Sequence, residues 1–216
     1  MLYNHNMLIL LTALAVFALL LISEFWHRRR GPHGELSRKF VHITVGSFVA
    51  YWPHYLSADT IKLFSVAFLV VAMLSKYFHI FRAIHSVQRP TQGEFWFALV
   101  VGLLAFTIYQ HPHIYTTALL EMSLADGLAA VIGTRYGNRY RYSVFGAPKS
   151  VIGTSTFFVV TCVILARYSM MTPGALSLSI LVPVALIATL LENVAVRGLD
   201  NLAVPVFIAG VLLHFA

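Results

Sequence analysis

The sequence predicts an all-α, polytopic membrane protein of about eight transmembrane helices with both termini outside, and three observations carry that prediction. First, the 216 residues are 59% hydrophobic and only 11% charged, with a mean hydropathy of +0.79, whereas a soluble domain carries about 25% charge. Second, the apolar runs are long, which in lipid selects helices over barrel strands. Third, the cations segregate. Arg28, Arg29, Arg30, Arg38, Lys39, Lys76, Arg82, Arg89, Arg135, Arg139, Arg141, Lys149 and Arg197, 13 of the 15, fall in alternate loops. Only Lys62 and Arg167 fall on the other side. The positive-inside rule places the crowded loops in the cytoplasm. Eight helices of about 20 residues use nearly the whole chain, so residues 1–216 form a single domain. The net charge of +7 then reports topology and anionic lipid and points away from nucleic acid. Cys162, the one cysteine, excludes an intrachain disulfide and a thiolate metal site.

Helix one is expected from Met7 to Trp26. Its apolar run is followed, not preceded, by Arg28-Arg29-Arg30, which reads as a retained helix rather than a cleaved signal. After a basic loop from His27 to Lys39 come helix two, Phe40 to Tyr55, and helix three, Thr60 to Phe78. The mixed segment His79 to Gly93 reads as interfacial. Helix four, Glu94 to Tyr109, ends at the turn His111-Pro112-His113. Helix five runs from Ile114 to Gly133, and Thr134 to Pro148 reads as a loop rich in Gly, Asn and Arg. Helix six spans Lys149 to Tyr168, helix seven Pro173 to Val196 with a kink at Pro183, and helix eight Leu199 to Phe215.

Three polar clusters interrupt this pattern. Asp126 lies about 10 Å inside helix five at 1.5 Å per residue, where an ionised carboxylate needs a polar cavity or a cation. Ala129, Ala130 and Gly133 follow it on one helical face, and Gly137 extends that face. Small residues there leave room for a bulky polar ligand; the plainer alternative is close helix packing. Lys149, Ser150, Gly153 and Thr154 then open helix six, and a lysine and hydroxyl at a helix N-terminus suit phosphate. The alternative is a snorkelling lysine. The second cluster is Arg38, Lys39 and His42, where two cations can hold phosphate and the imidazole can orient a hydroxyl. The third is Glu192, Asp200 and Asn201, oxygen donors for Mg²⁺ or simply helix caps. Glu24 and Glu35 read as interfacial.

At these residues the chain resembles the CTP-dependent lipid kinase family, which includes phytol and farnesol kinases, dolichol kinase and the yeast-type diacylglycerol kinase. Arg38-Lys39-Phe40-Val41-His42 is similar to its Arg-Lys-x-x-His motif. Asp126-Gly127-Leu128-Ala129, Gly133, Gly137 and Lys149-Ser150-x-x-Gly153-Thr154 resemble its central nucleotide motif. Glu192 with Leu199-Asp200-Asn201-Leu202-Ala203-Val204-Pro205 resembles its final motif, with Leu199 where an Asp is usual. The resemblance implies a membrane enzyme that moves the γ-phosphoryl group of CTP, or another nucleoside triphosphate, to the hydroxyl of an isoprenoid alcohol or diacylglycerol at the cytoplasmic face.

In this reading Arg38, Lys39, Lys149, Ser150, Gly153, Thr154, Gly133 and Gly137 handle the nucleotide. Asp126, Glu192, Asp200 and Asn201 hold Mg²⁺, and Asp126, His42, Lys149 and Asp200 carry catalysis, with a carboxylate or His42 taking the alcohol proton. A second reading is a cytidylyltransferase making a CDP-lipid from a lipid phosphate, but the His-Gly-Gly…Asp-Arg ending usual there is absent from the sequence. A third is a small transporter with Asp126 as its coupling acid. The lipid itself and the oligomeric state leave no trace in composition.

Overall fold

The computed structural model describes residues 5–30, 34–78, 92–174 and 176–216, without the side chains of 26–30, 34, 35, 37 and 76. The interfacial segment expected over His79 to Gly93 therefore lies almost wholly outside the described residues, as do the Arg28–Arg30 side chains and Glu35.

The described chain is a helical bundle. Its helices are α1 His5–Arg30, α2 Gly34–Val49, α3 Ala58–Phe78, α4 Gly93–Thr107, α5 Pro112–Leu120, α6 Asp126–Tyr136, α7 Val151–Met171, α8 Leu178–Val194 and α9 Asp200–His214. A π turn, Glu121–Ala125, joins α5 to α6 without a break. These two count as one rod, so the described residues hold eight rods, near the ranges expected. Four segments are long and apolar enough to cross a membrane: His5–Phe25, Ala58–Ser75, Pro112–Arg139 and Val151–Met171. The apolar helices α4, α8 and α9 are shorter.

The rod Pro112–Arg139 is the axis of the fold. It is 67% buried, against 22–28% for the other three long segments, and α2, α7 and α9 pack around its π turn. The reason is compositional: its inner faces carry small residues and hydroxyls, whereas α1, α3 and α7 turn Leu14, Phe17, Val66, Val70, Val159 and Val163 outward. So wide an exposed apolar surface is unstable against water. α1 lies on α2, and α3 on α4, at the bundle's periphery.

Four expectations need correction. α2 begins at Gly34, so Arg38 and Lys39 stand on a helix and not in a loop. The segment Thr134 to Pro148 is no plain loop: α6 continues to Tyr136, a 3-10 turn covers Gly137–Arg139, and an antiparallel hairpin follows, β1 Arg141–Val144 and β2 Ala147–Ser150. Its two-residue turn has both φ angles positive, 47° at Phe145 and 79° at Gly146, the twist that closes a tight hairpin. Lys149 therefore stands in a strand, and Ser150, which ends it, caps α7 by accepting a bond from Gly153 N at 3.0 Å. Glu24, finally, is buried rather than interfacial.

Candidate active site

The three polar clusters meet at one end of the bundle. On α2, Lys39, His42, Ile43 and Gly46 share one face, and that face lies against the π turn and α6. The approach is close because of glycine on each side. A Cβ on Gly46 would stand 2.5 Å from Ser123 Cβ, and one on Gly127 2.2 Å from Ile43 Cγ1. Through this contact Lys39 Nζ reaches Asp126 Oδ2 at 2.5 Å, with both side chains at least nine-tenths buried. His42 Nε2 lies 2.8 Å from Met122 O and 3.3 Å from Asp126 Oδ2.

The π turn explains why Met122 O is free to receive the imidazole. Asp126 N bonds to Glu121 O and Ser123 O, passing over Met122 O, its regular α-helical acceptor. Such bulges recur at functional sites. Both groups facing His42 Nε2 are acceptors, so Nε2 is the donor in these contacts.

The hairpin builds the other side. Tyr142 and Lys149 are cross-strand partners, so their side chains leave the same face and reach consecutive residues of α8. Lys149 Nζ donates to Glu192 Oε1 at 2.5 Å and to Glu192 O at 2.9 Å. Tyr142 Oη donates to Asn193 Oδ1 and meets Thr154 Oγ1 at 2.5 Å. Burial works against the Lys149 ammonium, but the Glu192 carboxylate, with Asp200 and Asp126 behind it, holds its pKa above the ordinary lysine value.

Asp200 opens α9 after a turn in which Arg197 and Gly198 both take positive φ. That turn is tied to the start of α4 by Gln92 N donating to Arg197 O at 3.1 Å and Asn201 Nδ2 to Gly93 O at 2.8 Å. Asp126, Glu192 and Asp200 thereby bring carboxylate oxygens within 4.8 Å of one another. Lys39 and Lys149 neutralise two of them; Asp200 has no ion pair among the described residues. Three carboxylate oxygens drawn to one point fit a hard divalent cation.

Beside His42 a cavity of about 50 Å³ is lined by Arg38, Glu94, Phe97 and Asn201 among others. It shares Val45, Phe68 and Phe97 with a larger apolar cavity of about 340 Å³ between α1, α2, α3 and α4.

Of the residues singled out in the sequence, Lys39, His42, Asp126, Lys149, Glu192 and Asp200 converge, with Arg38 and Asn201 at the edge. The small residues serve differently. A Cβ on Gly137 would fall 2.4 Å from Ser150 Oγ, and one on Gly133 2.9 Å from it. The room expected for a ligand is filled by the Ser150 cap, and Gly133 and Gly153 let α6 and α7 touch. Thr154 Oγ1 is engaged with Tyr142 and Asn193. Sequence reasoning passed over Tyr142, whose hairpin was read as loop. It also passed over Glu121, fully buried in the π turn with Thr161 Oγ1 donating to its Oε2 at 2.8 Å. Glu121 carried the same signal as Asp126, an acid inside an apolar run.

The chain is 33% identical over 204 residues to a phytol kinase of Synechocystis, covering 90% of this chain and 85% of that protein. The chain belongs to the phytol kinase family. It is also 28% identical over 219 residues to a probable chloroplastic phytol kinase of Triticum aestivum, covering 91% of this chain and 72% of the relative. A probable chloroplastic phytol kinase of Zea mays is 28% identical over 221 residues, with the same coverage. No family model matches the chain, and no solved structure matches it. In this member of the family a cluster of acids and bases is drawn together from α2, α6, α8, α9 and a hairpin.

Proposed function

We propose that this protein is a membrane lipid-alcohol kinase that transfers the γ-phosphoryl group of CTP to an isoprenoid alcohol such as phytol, at the cytoplasmic face of the cell membrane. The observation that carries the reading is the meeting of three carboxylates and two lysines beside a histidine-lined cavity. Phosphoryl transfer asks a protein mainly for positioning and charge neutralisation, and this set supplies both signs. Asp126, Glu192 and Asp200 would hold Mg²⁺, with Asn201 at the margin; bound there, the ion would neutralise phosphate oxygens. Lys149 and Arg38 are placed for phosphates, and Lys39 pairs with Asp126.

The alcohol oxygen attacks the γ-phosphorus while the bond to the bridging oxygen breaks, and the nucleoside diphosphate leaves. His42 donates through Nε2 to Met122 O and Asp126, so Nδ1 is the ring atom able to receive the alcohol proton. The segregation of cations supports a cytoplasmic site, where nucleotides are found. Lys62 and Arg167, the two exceptions, sit with Asp59 and Tyr51 at the opposite ends of their helices.

The test is transfer of label to lipid by the purified protein, given phytol or, separately, phytyl phosphate, with CTP labelled at either the γ or the α position. A kinase puts only the γ label into lipid. Incorporation of the α label would establish the cytidylyltransferase instead. Parallel assays with ATP and UTP, and with farnesol, a polyprenol and diacylglycerol, settle donor and acceptor.

A further inference from the structure

The larger cavity has a shape and chemistry of its own. Its floor is Val45, Val49 and Trp52 with Ala98 and Val101, all buried. Its rim, Ala13 and Phe17 of α1 and Ala67 and Val71 of α3, is exposed, so the groove opens sideways between two peripheral helices. Ser65 is the one hydroxyl in the lining, and it is already spent on Ala98 O at 2.7 Å. Apart from the Trp52 indole N–H, which has no hydrogen-bond partner among the described residues, the walls are apolar, and the volume of about 340 Å³ lies in the range of small-molecule sites, roughly 300–1,000 Å³. One end is closed by Trp52 against Phe64, ring centroids 5.3 Å apart. At the other end it adjoins the cavity of His42, the two sharing Val45, Phe68 and Phe97 in their walls, and the His42 ring meets Phe97 edge-on at 5.7 Å.

We propose that this lateral groove holds the hydrocarbon chain of the alcohol, entering between α1 and α3 with its hydroxyl at His42, and that Val49 and Ala98 set the chain length accepted. The inference rests on the lipid-alcohol kinase reading above. Its own support is that a largely apolar cavity shares the wall Val45, Phe68 and Phe97 with the cavity lined by His42, which faces Asp126. From His42 to Val49, α2 advances about 10 Å at 1.5 Å per residue, so the first isoprenoid units lie on Val45 and the later ones meet Val49. Short alcohols end before that point.

The test compares prenol, with five carbons, and phytol, with twenty, on the protein in nanodiscs. Val49→Phe and, separately, Ala98→Leu narrow the far half of the groove without touching the polar site. Each is expected to lower kcat/KM for phytol about tenfold or more, since the displaced units lose their burial, and to leave prenol within about twofold. An equal loss for both alcohols overturns the proposal.

A second measurement is independent of turnover and of variant folding. A phytol analogue with a diazirine at its far end, photolysed on the wild-type protein, is expected to label α1 and α3 next to the groove, and excess phytol but not phosphatidylglycerol should compete. Competition by the phospholipid would make the groove a bilayer-lipid site and sink the idea. If wild-type protein phosphorylates neither alcohol, the kinase reading fails, and the labelling still judges the groove.

Discussion

Two lysine–carboxylate pairs face each other across the site, and they are unlike. Lys39–Asp126 joins two helices packed through glycine, with the lysine side chain 6% exposed; Lys149–Glu192 joins a hairpin to α8, with the lysine side chain 17% exposed. The first pair adjoins His42 and the apolar groove. The second stands on a strand whose turn residue Phe145 is fully outside the bundle, 80% exposed. In the proposed kinase reading, His42 and the groove place the alcohol beside Lys39–Asp126, while Lys149, with Arg38, takes the triphosphate.

The sharpest break of this contrast is Asp126→Asn. Transfer of γ label should fall about 10²–10³-fold, the scale of losing a charged group at a reacting centre. Leaving Lys39 buried and unpaired should also cost about 3–5 kcal/mol of stability. The double variant Lys39→Met with Asp126→Asn should therefore recover the melting temperature while activity stays low. A double variant with restored activity would mean the pair is structural only.

His42→Gln tests the same side by its chemistry: kcat should drop about 10²-fold, the lower end for a lost proton acceptor, with nucleotide KM unchanged. On the hairpin side, Lys149→Met should raise nucleotide KM about 10-fold to 100-fold, as for lost bonds to charged groups, and leave phytol KM alone. Should Lys149→Met raise phytol KM instead, the assignment of sides is reversed.

Tyr142→Phe removes hydroxyl bonds to Asn193 and Thr154 and should cost only about 1 kcal/mol in nucleotide binding, seen as a KM rise of a few fold. The smallest effect concerns pH. The Lys149 pKa is raised on folding, so its ion pair stabilises fully below the unfolded lysine value and is lost only as pH rises through the folded one. Nucleotide KM should thus stay flat from neutral pH to about pH 9 on account of this residue. A rise with an inflection in that range would show Lys149 losing its proton early.

Much of this was readable before any fold. The rods, their order and the segregation of cations follow from run length and charge, which are local. Lys39 and His42 were marked by their i, i+3 spacing, and Asp126 by its isolation among apolar residues. The differences between expectation and structure have separate causes. Gly133, Gly137 and Gly153 are small in the sequence whether a ligand or a helix fills the space beside them, and here Ser150 fills it. The hairpin hid because Phe145-Gly146 is not a customary turn dipeptide and its strands are only four residues long. Glu121 went unmarked although it obeys the rule that exposed Asp126.

The sequence by itself determined that this chain is a bundle of apolar helices, where its three polar clusters lie along the chain, and the family its motifs resemble. Hydropathy and motif spacing are properties of neighbours in the chain, so they survive without a fold. Only the tertiary structure decided which lysine faces which carboxylate, that a skipped helical bond leaves Met122 O for His42, and that an apolar groove adjoins the cavity of that histidine. Those facts depend on residues such as Lys39 and Asp126, 87 positions apart, being pressed together by packing that no local pattern records.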